Sequence, residues 1–345
     1  MNSEREQPRR GFALLPALKS WEFTIFVLLI LVFVVNRAVS PELFRMDNLL
    51  DATLTFTEKS ILTLPMALLI ISGVIDISVA SISAMSGVVL GVCYKAGLSI
   101  GAATTVGLSV GLVAGLLNGL IITKLRIPSI VVTLAMMLFY RGVGYILLGD
   151  TAVRDLPERF GLLGGAYSVT FVPIQLMIFV VLAVVFGLLL HRTRFGRLIY
   201  VVGNNENTAL YSGVRVDRIR LILAGVTGLI AGLCGILLTS RIGSARPDIA
   251  QGNEMAVITI CLLGGVYIFG GKGSILGVVV AALMIGYVHY GLSILNVQEQ
   301  VIRIFTGGLL IVALLIPTIA SRFRNPGRAR TKEASDELTS TLRGQ

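Results

Sequence analysis

The sequence predicts an all-α polytopic membrane protein, with about ten transmembrane helices and short or broken helices around a central path. Three observations lead there. The 345 residues are 55% hydrophobic and 14% charged, with a mean hydropathy of +0.86, whereas a soluble globular chain carries about 25% charged residues. Apolar runs recur that approach or exceed the roughly 17–25 residues a helix needs to cross the hydrocarbon core. They are also too long and continuous for barrel strands, which alternate over roughly ten residues.

The first apolar run, Trp21 to Val35, follows Arg5, Arg9, Arg10 and Lys19, as the core of a signal peptide would. No small-residue cleavage site appears in NRAVSPE, and further apolar segments follow, so an uncleaved helix is expected over 21–39. The remaining spans are expected near 60–75, 77–94, 98–122, 129–148, 172–190, 220–240, 255–270, 273–295 and 302–318. Those at 60–75 and 255–270 are short.

With the amino terminus inside, most of the 29 lysines and arginines fall on one side: the first tail, Lys124 and Arg126, the segment His191 to Arg220, Lys272, and the last tail. That bias predicts both termini in the cytoplasm. Residues 1–20 then form a cytoplasmic tail, 21–320 a transmembrane domain with a cytoplasmic loop at 191–220, and 321–345 a polar, disordered cytoplasmic tail. The outer face receives Pro41 to Glu58 and Asp150 to Gly165 as loops. Topology and the lipid bilayer also account for the net charge of +10, since no aromatic-interleaved basic stripe marks a nucleic-acid partner.

Gly107, Gly111, Gly115 and Gly119 recur every four residues, so they share one helix face where another backbone can approach closely. Gly228 and Gly232 repeat the pattern. A tightly packed bundle is the expectation. Cys93, Cys234 and Cys261 sit in or beside apolar runs without metal-ligand spacing, which predicts small buried residues and neither a metal site nor a disulfide framework.

The stretch SGVIDISVAS, Ser72 to Ser81, interrupts an apolar run with Gly73, Asp76, Ser78 and Ser81. A charged residue at membrane depth costs roughly 2.5–3.5 kcal/mol on insertion scales, so Asp76 needs a partner or water. It can cap the next helix, or a broken helix there can line a polar path, and the two roles are compatible. Asn118 reads either as an interhelical hydrogen bond or as a solute contact, and Arg141 as either a snorkelling residue or half of a buried ion pair. Asp76, Ser78, Ser81 and Asn118 are the candidate path residues.

LLGGVYIFGGKGSILG, Leu262 to Gly277, is not a phosphate loop: Val266 stands where its first glycine belongs, and Gly273 follows Lys272 in place of Ser or Thr. A tight turn between two spans is expected instead. The segments MALLIISGVIDISVASIS and MAVITICLLGGVYIFGGKGS share a Met-Ala start and glycine breaks, which chance explains as well as duplication does. No catalytic constellation is present, since His191 and His289 stand apart from any nucleophile or metal pattern. The chain is expected to be no enzyme and to need no cofactor of its own.

The longest polar interruption, His191 to Arg220, carries the sharpest local signal. Asn204 and Asn205 are good helix N-caps, Glu206 suits a first turn, and Gly213 is a natural terminator. They predict a helix over Glu206 to Ser212 that offers Ala209 and Leu210, flanked by Arg194, Arg197, Arg215 and Arg218. A basic loop facing anionic lipid is the alternative, but it requires no such capping.

These segments together resemble the membrane permease subunits of ribose-type ABC importers for sugars, a group that includes ribose, rhamnose and autoinducer-2 permeases. The resemblance spans roughly Phe44 to Pro317 and rests on four ordered motifs. They are IDISVAS; Asn118-Gly119 to Thr133-Leu134; Phe195-Gly196-Arg197 with Gly203-Asn204 and Ser212-Gly213; and GSARPD followed by GGKGSILG. Val74 and Ala80 stand where such permeases commonly have glycine, which narrows the break.

The resemblance implies a bacterial inner-membrane location, a pore of two permease subunits, identical or similar, two cytoplasmic ABC ATPase subunits that bind the ATP, and a periplasmic sugar-binding protein. It implies docking on the ATPase through Arg194, Phe195, Gly196, Arg197, Gly203, Asn204, Asn205, Glu206, Ala209, Leu210, Ser212 and Gly213. Modest polarity along the path suits a neutral hydroxylated solute. A self-sufficient secondary carrier or channel is the rival, against which stands the lack of membrane carboxylates beyond Asp76 for ion coupling.

Overall fold

The computed structural model describes residues 21–39, 45–165 and 172–324, and the expected tail at 1–20 lies outside them. They form thirteen helices in order: α1 Trp21–Val39, α2 Met46–Ile71, α3 Val79–Lys95, α4 Ile100–Leu125, α5 Ser129–Leu148, α6 Glu158–Gly165, α7 Ile174–Arg192, α8 Arg194–Asn204, α9 Glu206–Tyr211, α10 Val216–Ile242, α11 Asn253–Leu263, α12 Ile275–Ile294 and α13 Glu299–Arg324. Seven are long and apolar enough to cross a membrane; α3 and α11 are shorter apolar helices, and α13 covers the last expected span. The protein is a polytopic helical membrane protein.

α10 is the central post, packing against α2, α3, α4 and α6. Its closest partner is α4, and the reason is the glycines. A Cβ added at Gly111 would stand 2.5 Å from the Gly228 carbonyl oxygen, and one at Gly115 would collide with the Ala224 carbonyl oxygen. With hydrogen side chains the two backbones pack directly, which maximises dispersion where lipid supplies no hydrophobic drive. Gly107 meets the Ser86 carbonyl of α3, and Gly119 meets Ala224 and Leu221, so all four glycines of the repeat sit at helix interfaces.

Four expectations need correction. Met46 to Glu58 is not a loop but the first half of α2, which runs for 26 residues. Three polar side chains of that half are internal, while Asp51 and Thr55 are exposed: Thr53 donates to the Leu50 carbonyl at 2.6 Å, Thr57 to Thr53 at 2.5 Å, and Glu58 pairs with Arg241 of α10 at 2.6 Å. Hydroxyls satisfied within the helix leave the pattern polar to the eye but compatible with burial. α11 stops at Leu263, seven residues before the expected end at 270, because the chain turns at Gly264 and Gly265. The segment Asp150 to Gly165 contains α6, whose Gly164 lies against the backbone of Arg241. The last tail was expected from residue 321, yet α13 continues to Arg324; residues 325–345 lie outside the described ones.

Cys234 and Cys261 are buried and Cys93 is half-buried, all as free thiols. Among the described residues no His, Cys, Asp and Glu cluster could hold a metal ion.

Candidate functional site: a helical hairpin seated on two helix breaks

The segment 191–220 holds two helices where the sequence suggested one. Thr193 opens α8 by accepting from the Gly196 amide at 3.0 Å. α8 then turns Gly196, Ile199 and Val202 inward while Arg194 and Arg197 stay exposed. Its apolar positions at intervals of three make one face, which is why it lies flat against the bundle. Gly196 is required because any side chain would strike the Leu190 carbonyl at the end of α7.

Asn205 ends α8 and begins α9, its side chain accepting from the Thr208 amide at 3.0 Å. Gly213 closes α9 in the left-handed region at φ +77°, where its amide donates to Leu210 and that of Val214 donates to Ala209, each at 3.0 Å. The helix spans Glu206–Tyr211, one residue short of the sequence expectation. Ala209 is buried (0% exposed) and faces inward, whereas Leu210 is 50% and Tyr211 94% exposed. Tyr211 therefore belongs to the outward surface and Ala209 does not. A six-residue helix has no hydrophobic period long enough to tell its faces apart, so sequence reasoning could not assign them.

Beneath the hairpin two interruptions meet. α2 ends at Ile71, whose carbonyl accepts from the Gly271 amide at 2.8 Å, and Gly271 lies in the turn between α11 and α12. Gly203 of α8 sits on this joint: a Cβ there would run into the Ile71 carbonyl oxygen and stand 2.6 Å from the Gly271 nitrogen. Tyr200 adds a hydrogen bond to the Gly273 carbonyl at 2.7 Å. Arg220 of α10 pairs with Glu206 at 2.9 Å and reaches the Ser72 carbonyl at 3.5 Å. Thus α8, α9, the α2 break and the glycine turn form one contiguous unit.

The α2–α3 break continues inward to the candidate path residues. The Asp76 carboxylate accepts from the Ser78 amide at 2.8 Å, the Ser78 hydroxyl at 2.6 Å and the Asn118 amide at 3.2 Å. Asn118 also donates to Ser78 at 2.8 Å and accepts from Tyr140 at 2.9 Å, while Tyr140 donates as well to the Ala114 carbonyl at 2.9 Å. Ser81 donates to the Ser78 carbonyl at 2.7 Å. Asp76, Ser78, Ser81 and Asn118 are all buried and bonded to one another or to backbone. In this conformation they form a knot joining α3, α4 and α5, and Asp76 closes the turn onto the Ser78 amide without capping α3 itself, whose N-cap is Ser78. Tyr140 was missed because, alone in an apolar span, it reads as an ordinary interface aromatic.

Arg141 makes no ion pair among the described residues. It donates to the carbonyls of Pro247 at 2.5 Å and Ile249 at 2.8 Å, which pins α5 to the loop between α10 and α11.

On the same side as the hairpin a cleft of about 420 Å³ opens between α9, the α4–α5 turn and the α2 break. Glu206, Leu210, Asp217, Arg126 and Arg220 line it. Arg126 holds φ +54°, unusual for a residue with a side chain.

Residues 48–314 match the family model described as branched-chain amino acid transport system / permease component. The chain is similar to the autoinducer 2 import system permease protein LsrD of Enterobacter sp. (strain 638), 34% identical over 303 residues that cover 86% of this chain and 92% of the relative. It is likewise 34% identical to LsrD of Escherichia coli (strain K12) over 301 residues, covering 86% and 91%. The Klebsiella pneumoniae LsrD is 33% identical over 307 residues, with the same coverage. No solved structure matches the chain.

Proposed function

The chain belongs to the permease-component family of branched-chain amino acid transport systems, and on that premise we propose that it is the membrane-spanning permease subunit of an ATP-driven importer. It works in the bacterial inner membrane with both termini cytoplasmic. Its cargo is a sugar or sugar-like solute of the ribose, rhamnose or autoinducer-2 type, the last being what its relatives' names specify. A periplasmic binding protein delivers the solute. Two permease subunits, identical or similar, form the pore, and ATP is bound and hydrolysed on separate cytoplasmic ATPase subunits.

One observation carries this reading: the α8–α9 hairpin is exposed at Leu210 and Tyr211 on one side and rests through Gly203 on the Ile71–Gly271 joint on the other. A partner that moves α9 therefore moves the ends of α2 and of the α11–α12 turn together. That is a direct mechanical link from a water-facing helix to two breaks in the membrane helices. Alternating access follows when closure of the ATPase pair pulls the hairpin and shifts these breaks, since packed interfaces switch between discrete arrangements instead of bending continuously.

Reconstitution decides the matter. In proteoliposomes holding this chain, its ATPase and its binding protein, uptake of ribose, rhamnose or autoinducer-2 should require ATP and the ATPase subunit. Uptake by the permease alone on an ion gradient would overturn the importer reading in favour of a secondary carrier. Within the complex, Arg197→Glu combined with Leu210→Asp should abolish uptake and ATPase co-purification while the permease still elutes as a folded species.

A further inference from the structure

At the end of the bundle away from the hairpin, a second cavity of about 350 Å³ opens between α2, α11, α12 and α13. It lies near Lys59, twelve residues before Ile71, so roughly 18 Å along α2 from the hairpin joint at 1.5 Å per residue. Its volume is at the lower end of the roughly 300–1,000 Å³ range of small-molecule sites. Phe56, Lys59, Asn253, His289, Tyr290 and Glu299 are among its lining residues.

The neighbouring ionisable groups have partners nearby. Glu58, adjacent to Lys59 in sequence, is taken by Arg241 at 2.6 Å. Glu299 pairs with Arg303 at 3.5 Å. His289 Nε2 is 3.0 Å from the Thr306 hydroxyl. Lys59 differs: among the described residues its ammonium makes no direct hydrogen bond or ion pair, the carboxylates of Glu299 and Glu58 attract it only from a longer range, and it lines the cavity. A lysine within a membrane helix is costly, so one without a direct partner beside a cavity of this size marks a functional position by default.

We propose that this cavity is the outer binding site for the transported solute, a neutral polyhydroxylated molecule, and that the Lys59 ammonium donates a hydrogen bond to one of its oxygens. The assignment rests on the importer reading above. The wall chemistry selects the class. Lys59 and Arg303 donate, while Glu299 and the Asn253 amide oxygen accept, so a molecule carrying several hydroxyls can satisfy both kinds of group at once. Phe56 and Tyr290 add aromatic surface for the apolar face of a small ring.

The test uses the complete importer in proteoliposomes and whichever of ribose, rhamnose and autoinducer-2 the wild-type complex carries. Lys59→Met should lower uptake at least tenfold, and Lys59→Arg, which keeps a donor, should recover part of it. Should Lys59→Met fail to assemble, Ser293→Trp reports separately, since Ser293 is an exposed lining residue and an indole there fills the mouth of the cavity. It should reduce uptake comparably. A complex that carries one of the solutes and is indifferent to both Lys59→Met and Ser293→Trp overturns the site alone. A complex that carries none of them overturns the importer reading and the site with it.

Discussion

Asp76 shows how one residue is made tolerable at membrane depth. Its carboxylate has three donors from two residues, and the Asn118 that supplies one of them is held in turn by Tyr140. Removing Asn118 exposes the dependence: Asn118→Leu leaves one carboxylate oxygen of Asp76 and the Ser78 hydroxyl oxygen each short of a donor, while Tyr140 keeps the Ala114 carbonyl. Each unsatisfied buried group costs about 1–3 kcal/mol, so the detergent-solubilised variant should unfold several degrees below wild type in a thermal melt. An unchanged melting temperature would mean that water replaces the amide. The carboxylate, the serine and the asparagine were all legible as polar interruptions in apolar runs. Their mutual contact was not, because Asp76 and Asn118 are 42 positions apart.

At the scale of elements, the hairpin is where sequence and structure diverge most usefully. Its caps were readable, since Asn205 and Gly213 act through backbone chemistry within a few residues of themselves. α8 was not anticipated, although its apolar face at Gly196, Ile199 and Val202 has helical spacing, because the basic residues around it dominated the reading. What Gly203 does is a purely spatial fact. The expected result of Gly203→Val follows: the side chain collides with the Ile71 carbonyl, α8 lifts from the joint, and uptake falls by more than tenfold. Hydrogen exchange should speed up across residues 194–212 while α4 and α10 keep their protection. Loss of protection throughout would show instead that the joint holds the whole bundle together.

For the whole molecule, the α4–α10 contact carries the assembly. The two helices touch through backbone at Gly111, Gly115, Gly228 and Gly232, so no rotamer change can make room for a side chain. Gly115→Leu should therefore fail to accumulate as a monodisperse protein, whereas Gly101→Leu, at a site on the same helix with open space around it, should accumulate normally. Size-exclusion chromatography of the two variants makes the comparison. Equal yields would mean that α4 can separate from α10 at little cost.

The sequence by itself determined the membrane class, most helix positions, the two helix breaks, the packing glycines and the capped α9. All of these follow from composition, periodicity or backbone chemistry over a few residues. Only the tertiary structure decided that α2 extends through the polar stretch before Glu58, that the Asp76 knot closes on Tyr140, and that Lys59 faces a cavity without a direct partner. It also decided that α8 bridges Ile71 and Gly271, which are 200 positions apart. The physical reason is common to all four. A polar group's cost in a membrane depends on which partner reaches it, and that partner comes from a helix the local sequence does not name.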